Sequence, residues 1–216
     1  MAAETKIAGR KTVADWQKLK DTLVVGGDAG PWRVAFADYF HERLRTRYFD
    51  PIGVLKRIPS KNGEGFSIVV IQCSLIEFLG ATLKGKIYIN PKQLKRLGRK
   101  RALMEYTNSR EMFVDVLTTT TPFKKVFTSK ALAEDFYECV RCGLLHEART
   151  TKGWTITAKR GLNRVVDASN PANKIVHRDN LQNAFHEFVT WYGEQLLADT
   201  KLQEAFIRKF DSLCAD

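Results

Sequence analysis

The chain has 216 residues, of which 44% are hydrophobic and 11% aromatic, enough for one packed domain and too much for a globally disordered polymer. Lys and Arg number 35 against 24 Asp and Glu, and the net +11 points to polyanionic partners or, more plainly, to a solvated basic surface. Four cysteines are too few for a disulfide framework and no signal segment opens the chain, so a cytoplasmic protein is expected, with no membrane partner.

Taken in order, residues 1–10 read as a loose terminus. Val13, Trp16, Leu19 and Leu23 then recur at helical spacing, and the Gly26, Gly27 and Pro31 stretch breaks that helix. A second helix is predicted over residues 32–49, with Val34, Phe36, Phe40 and Leu44 inward and Pro51 stopping or kinking it. A loop at residues 61–65 precedes an apolar run over 66–83, interrupted by Gln72, Ser74 and Glu77. Its length suits a buried helix, and it lacks the interfacial anchors of a membrane span. Asn90 and Pro91 open a short basic helix, Asn108 to Glu111 read as a cap, and four threonines with Pro122 make the next loop. Ser129 caps a helix whose Leu132, Phe136, Val140 and Leu144 fall on one stripe. Trp154 to Ala158 alternates like a strand and Lys174 to His177 could pair with it, which suggests a small β-hairpin over about residues 154–177. Asp179 to Gln182 resembles a capping box that launches a helix carrying Leu181, Phe185, Phe188, Val189, Tyr192 and Leu196, and a last helix is predicted over residues 201–213. The expected fold is mainly α: a helical bundle with a small β-hairpin insertion. Residues 1–60 are expected to form an N-terminal helical region packed on a bundle of residues 61–216, or one continuous domain with it.

The motif that could carry chemistry lies late in the helix capped by Ser129: Val140, Arg141, Cys142, Gly143, Leu144, Leu145, His146, Glu147. Arg, four intervening residues and His near the end of a bundle helix resembles the HEPN superfamily, the nucleotide-binding helical domains of higher eukaryotes and prokaryotes. The resemblance implies a metal-independent endoribonuclease acting as a homodimer in prokaryotic defence or toxin–antitoxin biology, with an antitoxin or defence-system protein as a further partner and no cofactor. Arg141 and His146 would then be catalytic, with Glu147, Glu77 and Cys142 in support. Cys142 stands where many nuclease members have Asn, Asp or His. The other readings are a non-catalytic HEPN-like module that binds nucleotide or RNA, and an interaction protein.

The chemistry is coherent. RNA carries its own nucleophile, the 2′-OH, so a histidine near neutral pKa can take its proton while an arginine fork stabilises the crowded phosphate. One motif His per chain is half of an acid–base pair, which a twofold dimer would complete; the alternative is a single His whose second proton partner is water. On a straight helix five residues advance the side chain to about 140° away, so Arg141 and His146 converge only if the helix loosens near Gly143 or a second subunit contributes. The plainer reading makes Arg141 a surface cation near a helix C-terminus and His146 a cap.

Other features weigh less. Cys139 and Cys142 have CxxC spacing, but no second pair completes a zinc site, and a late helical position does not activate a thiol, so two buried or half-buried helical cysteines are expected. His41, His177 and His186 read as structural, and no metal site is expected. Glu77, the one acid in the apolar helix, needs a partner if buried, which Arg141 or another cation of the bundle could supply; a snorkelling or exposed glutamate fits equally well. Lys92, Lys95, Arg96 and Arg99 fall on one helical face, and with Lys100 and Arg101 they suit phosphate contacts or plain solvation. Arg43, Arg45 and Arg47 form a weaker patch.

Overall fold

The computed structural model describes residues 5–58, 63–158 and 164–215. It is mainly α with small sheets of two or three strands. The chain divides into two compact units, each built from separated stretches: Met1–Phe49, Leu79–Ser109 and Tyr192–Asp216 in the first, Asp50–Phe78 and Arg110–Trp191 in the second.

In chain order, β1 (Lys6–Ala8) pairs antiparallel with β2 (Lys11–Thr12) and leads into α1 (Val13–Lys20). Residues 6–8 are therefore ordered, against the expected loose terminus, because Ile7 and Ala8 are buried. Thr12 and Asp15 form a reciprocal capping box that starts α1. A helical run over residues 29–55 follows: α2 (Ala29–Val34), a π-helical turn (Ala35–His41), α3 (Glu42–Leu44), a second π turn (Arg45–Phe49) and α4 (Asp50–Leu55). The widened turns rotate the expected inward stripe, so Val34 is exposed while Ala35 and Tyr39 join Trp32, Phe40 and Leu44 in the core. They also let the run pass Pro51, where an α-turn would need the N–H that proline lacks.

α5 (Glu64–Lys84) is the expected apolar helix. Glu64 and Gly65, expected in the preceding loop, are already helical, and Lys61 and Asn62 lie outside the described residues. By length and composition α5 could cross a membrane, but 56% of its most apolar window is buried in the protein, as in a core helix. β3 (Ile87–Tyr88), α6 (Pro91–Arg96) and β4 (Glu105–Tyr106) follow, with β3 and β4 parallel. Asn90 caps α6 and Pro91 opens it, as expected. Next come α7 (Ser109–Thr119), a 3-10 turn (Phe123–Lys125), α8 (Lys130–Phe136) capped by Ser129, a third π turn (Tyr137–Cys142) and α9 (Gly143–Glu147).

β5 (Trp154–Thr157), β6 (Val166–Asp167) and β7 (Lys174–His177) make one sheet in the order β5-β7-β6. The expected partners do pair, Trp154 with Lys174 through Thr157 with His177, but in parallel, and the antiparallel hairpin partner of β7 is β6. One carboxylate ties the two strand starts together: Asp135 Oδ2 accepts from the Trp154 indole at 2.8 Å and from Lys174 Nζ at 2.6 Å, so both strands begin at the same anchor.

α10 (Arg178–Leu196) buries all six apolar residues expected of it, and α11 (Thr200–Ser212) is capped by Asp199. The capping-box reading of Asp179 and Gln182 is corrected. Asp179 is already helical and pairs with Lys56 at 2.9 Å, while Gln182 accepts from Gln72 at 3.3 Å inside the unit.

Aromatic rings fill both cores. In the first unit Trp16 lies 5.3 Å from both Tyr39 and Phe210, and its indole donates to Asp211 at 2.9 Å. In the second, Phe136 packs edge-on against Phe127 and Trp154, and Phe123 against Phe185.

Candidate functional site

The second unit assembles the site from α5 and from the helical run over residues 130–147. Ser129 Oγ accepts from the Leu132 amide to start that run, and Ala133, Phe136, Cys139, Val140 and Leu144 bury its inner face. The π turn at Tyr137–Cys142 contains Arg141 and ends immediately before Gly143. The loosening expected near Gly143 is thus found in the turn preceding it, and Gly143 itself has ordinary helical angles. A wider turn advances less than an α-turn per residue, which narrows the angle between Arg141 and His146.

Arg141 Nη2 lies 3.7 Å from Glu77 Oε2, and the two side chains are only 21% and 19% exposed. Its guanidinium carbon sits 5.2 Å from the centre of the Tyr137 ring, within cation–π range, and Nη1 is 4.0 Å from Cys142 Sγ. Glu77, Cys142 and Arg141 therefore come together. The 3.7 Å separation is an ion pair rather than a close two-pronged hydrogen bond, so the fork keeps donors for another anion. Burial pushes the Tyr137 phenol up; Arg141 opposes this, and Cys142 and Glu77 reinforce it. Burial likewise raises the Cys73 thiol to about 12, with Arg141 pulling the other way. Tyr137 and Cys73 are the members that sequence reasoning missed. Tyr137 could have been found, since it stands one helical turn before Arg141; Cys73 stands one turn before Glu77 in the same way.

His146 and Glu147 close α9 and are both exposed. Among the described residues no hydrogen bond or ion pair joins His146 to Arg141. Ala148 caps the helix in the left-handed conformation, and the Thr151 amide donates to the Cys139 carbonyl at 3.0 Å, folding the chain back over α9.

Cys139 is buried and Cys142 half-buried, as the CxxC reading expected. Burial raises the Cys139 thiol, which donates to Asp135 at 3.2 Å. Among the described residues no three His, Cys, Asp or Glu side chains are grouped to hold a metal ion. His41 and His186 are exposed, and His177 is buried in β7.

The basic stretch belongs to the first unit. Lys92, Lys95 and Arg96 are exposed on α6, but Arg99 does not share their helical face. Gly98, at φ +60°, ends the helix first, and Arg99 forks onto Glu105 at 2.9 and 2.7 Å. That fork, with the Ala102 amide beside it, holds the Glu105 carboxyl down to about 2 against a smaller opposing effect of burial. Lys100 and Arg101 follow as exposed chain. The weaker patch is occupied locally: Arg43 and Arg47 donate to the carbonyls of Ile7 and Lys6, and Arg45 pairs with Glu42.

No family model matches the chain, and neither does a curated protein or a solved structure.

Proposed function

We propose that this chain is a HEPN-type endoribonuclease that cleaves RNA without a metal ion. One observation carries the reading: a half-buried Arg141, held against Glu77 and Tyr137 by a π turn, precedes an exposed His146 on the same helical run. His146 takes the proton of the ribose 2′-OH, whose oxygen attacks the adjacent phosphorus. Arg141 stabilises the charge that builds on the phosphate oxygens, and Glu77 keeps the guanidinium oriented. The P–O5′ bond breaks, leaving a 2′,3′-cyclic phosphate, and the 5′-oxygen takes a proton from the second copy's histidine or from water. A homodimer in the cytoplasm, working in prokaryotic defence or as a toxin with its antitoxin, is the setting this chemistry suits.

The test is incubation of labelled RNA with the protein in EDTA. Cleavage should persist with the chelator and fall about 10²–10⁴-fold in His146→Ala, with a comparable loss in Arg141→Ala. Wild-type rates in both variants refute the reading. A second reading, an RNA-binding module without catalysis, is favoured by the bare surroundings of His146, since general bases are commonly oriented by a third group. It predicts salt-sensitive RNA binding with no cleavage product.

A further inference from the structure

Residues 78–104 contain no Asp or Glu but carry eight cations: Lys84, Lys86, Lys92, Lys95, Arg96, Arg99, Lys100 and Arg101. The same short stretch is where the protein exposes its apolar side chains. Twelve large hydrophobic residues are exposed among the described residues, and five of them lie here: Ile87, Tyr88, Leu97, Leu103 and Met104. Leu103 is 83% exposed and Leu97 55%. Leaving such side chains in water is unfavourable, and an apolar cluster set among charges marks an interaction surface.

The chemistry selects the partner. Phosphate contacts alone would use the cations but give aliphatic tips nothing to bury against, and nucleic acid rewards aromatic faces, of which Tyr88 is the only exposed one in this stretch. A second copy of the same surface would set seven of these cations, Arg99 being held by Glu105, against the same seven. Protein interfaces are depleted in lysine, whereas five of these eight cations are lysines. An anionic bilayer satisfies both halves. Headgroup phosphates pair with lysine and arginine, and leucine and methionine enter the acyl boundary. We propose that α6 and the β3 and β4 strands beside it form a peripheral docking surface for anionic membranes, with Leu97, Leu103 and Met104 inserted and Lys92, Lys95, Arg96, Lys100 and Arg101 on the headgroups. This departs from the expectation of no membrane partner, because the exposure of Leu97 and Leu103 is set by tertiary structure that composition does not report, and it does not depend on the ribonuclease reading.

Co-sedimentation of the full chain with vesicles tests it, using phosphatidylcholine alone and phosphatidylcholine mixed with phosphatidylglycerol. The protein should pellet with the anionic vesicles, remain in solution with the neutral ones, and be released by salt. Lys95→Gln with Arg96→Gln should weaken partitioning roughly thirtyfold, since each basic residue near an anionic surface contributes about fivefold. Leu97→Ser with Leu103→Ser should weaken it by about tenfold or more. All four side chains are exposed, so the variants keep the wild-type circular dichroism. No pelleting with anionic vesicles at low salt overturns the proposal. So does vesicle binding that survives the serine pair, or a labelled single-stranded RNA that binds through Lys95 and Arg96 while vesicles do not.

Discussion

Gly143→Ala offers the sharpest test of how the motif helix is built. Gly143 has helical backbone angles, φ −57° and ψ −46°, so alanine should improve local helix propensity by about 1 kcal/mol. Space decides otherwise. A Cβ at this position would stand 2.6 Å from the Arg149 carbonyl oxygen and 3.6 Å from Thr150 Cα. Both are backbone atoms of the turn that folds back over α9, and that turn is tied down where Thr151 donates to Cys139. Overpacking of this kind costs about 1–3 kcal/mol, so the net expectation is a loss of about 1 kcal/mol, with the upper end near 2. Ala148→Gly is the companion variant. Ala148 sits at φ 51°, where glycine carries no Cβ penalty, and it should gain about 0.5–1 kcal/mol. Urea unfolding followed by circular dichroism measures both. A Gly143→Ala protein as stable as wild type would refute the close-approach argument and return Gly143 to a mere helix loosener.

Three further outcomes follow from the packing. Arg178 and Glu64 form an ion pair at 2.9 Å with both side chains only 8% exposed, so Arg178→Met should cost about 3–5 kcal/mol; adding Glu64→Gln should recover much of it in a double-mutant cycle. Burial works to raise the Asp135 carboxyl, but hydrogen bonds from Lys174, Trp154 and Cys139 win and hold it below the usual range. A depressed carboxylate stabilises the folded chain above the unfolded pKa of about 3.9, and that contribution disappears as pH falls toward the folded value. Asp135→Asn should therefore lower stability at neutral pH and flatten its decline below about pH 4, read from urea midpoints across pH; a parallel decline in both proteins removes Asp135 from the acid response. Gly85 sits at φ +58°, and a Cβ there would meet Ala205 Cα at 2.7 Å, so Gly85→Ala should lower the unfolding free energy by about 2–3 kcal/mol. An unchanged urea midpoint would show that the backbone at Ala205 gives way.

The helices of this protein were legible where one face decides burial. The six apolar residues of α10 fall three and four apart except for the adjacent Phe188 and Val189, and all six are buried. Asn90 and Pro91, and Ser129, announced their helices through local capping chemistry. What escaped was decided by longer-range groups. The parallel β5 and β7 share an anchor at their starts, Asp135 of α8, that no pattern within the strands reveals. The exposure of Val34 depends on a widened turn that apolar spacing cannot report, because the same residues fit an ideal helix equally well. At the candidate site, Glu77 called for a cation on the simple ground that it interrupts an apolar run, and Arg141 is near it. The fate of Arg99 needed one more residue of context. Gly98 reads as a helix stop, and beyond it a side chain is free to reach Glu105.

The π turns at Ala35–His41, Arg45–Phe49 and Tyr137–Cys142 carry a consequence for how this chain can lose residues. A turn closed from i to i+5 holds one residue more than its neighbours. Deleting that residue lets the turn close from i to i+4 and leaves both flanks facing as before. The same deletion inside α8 or α9 would swing everything downstream by about 100°. Length variants of this protein should therefore gather at the widened turns, and one that shortens Tyr137–Cys142 would keep the bundle while resetting the angle between Arg141 and His146.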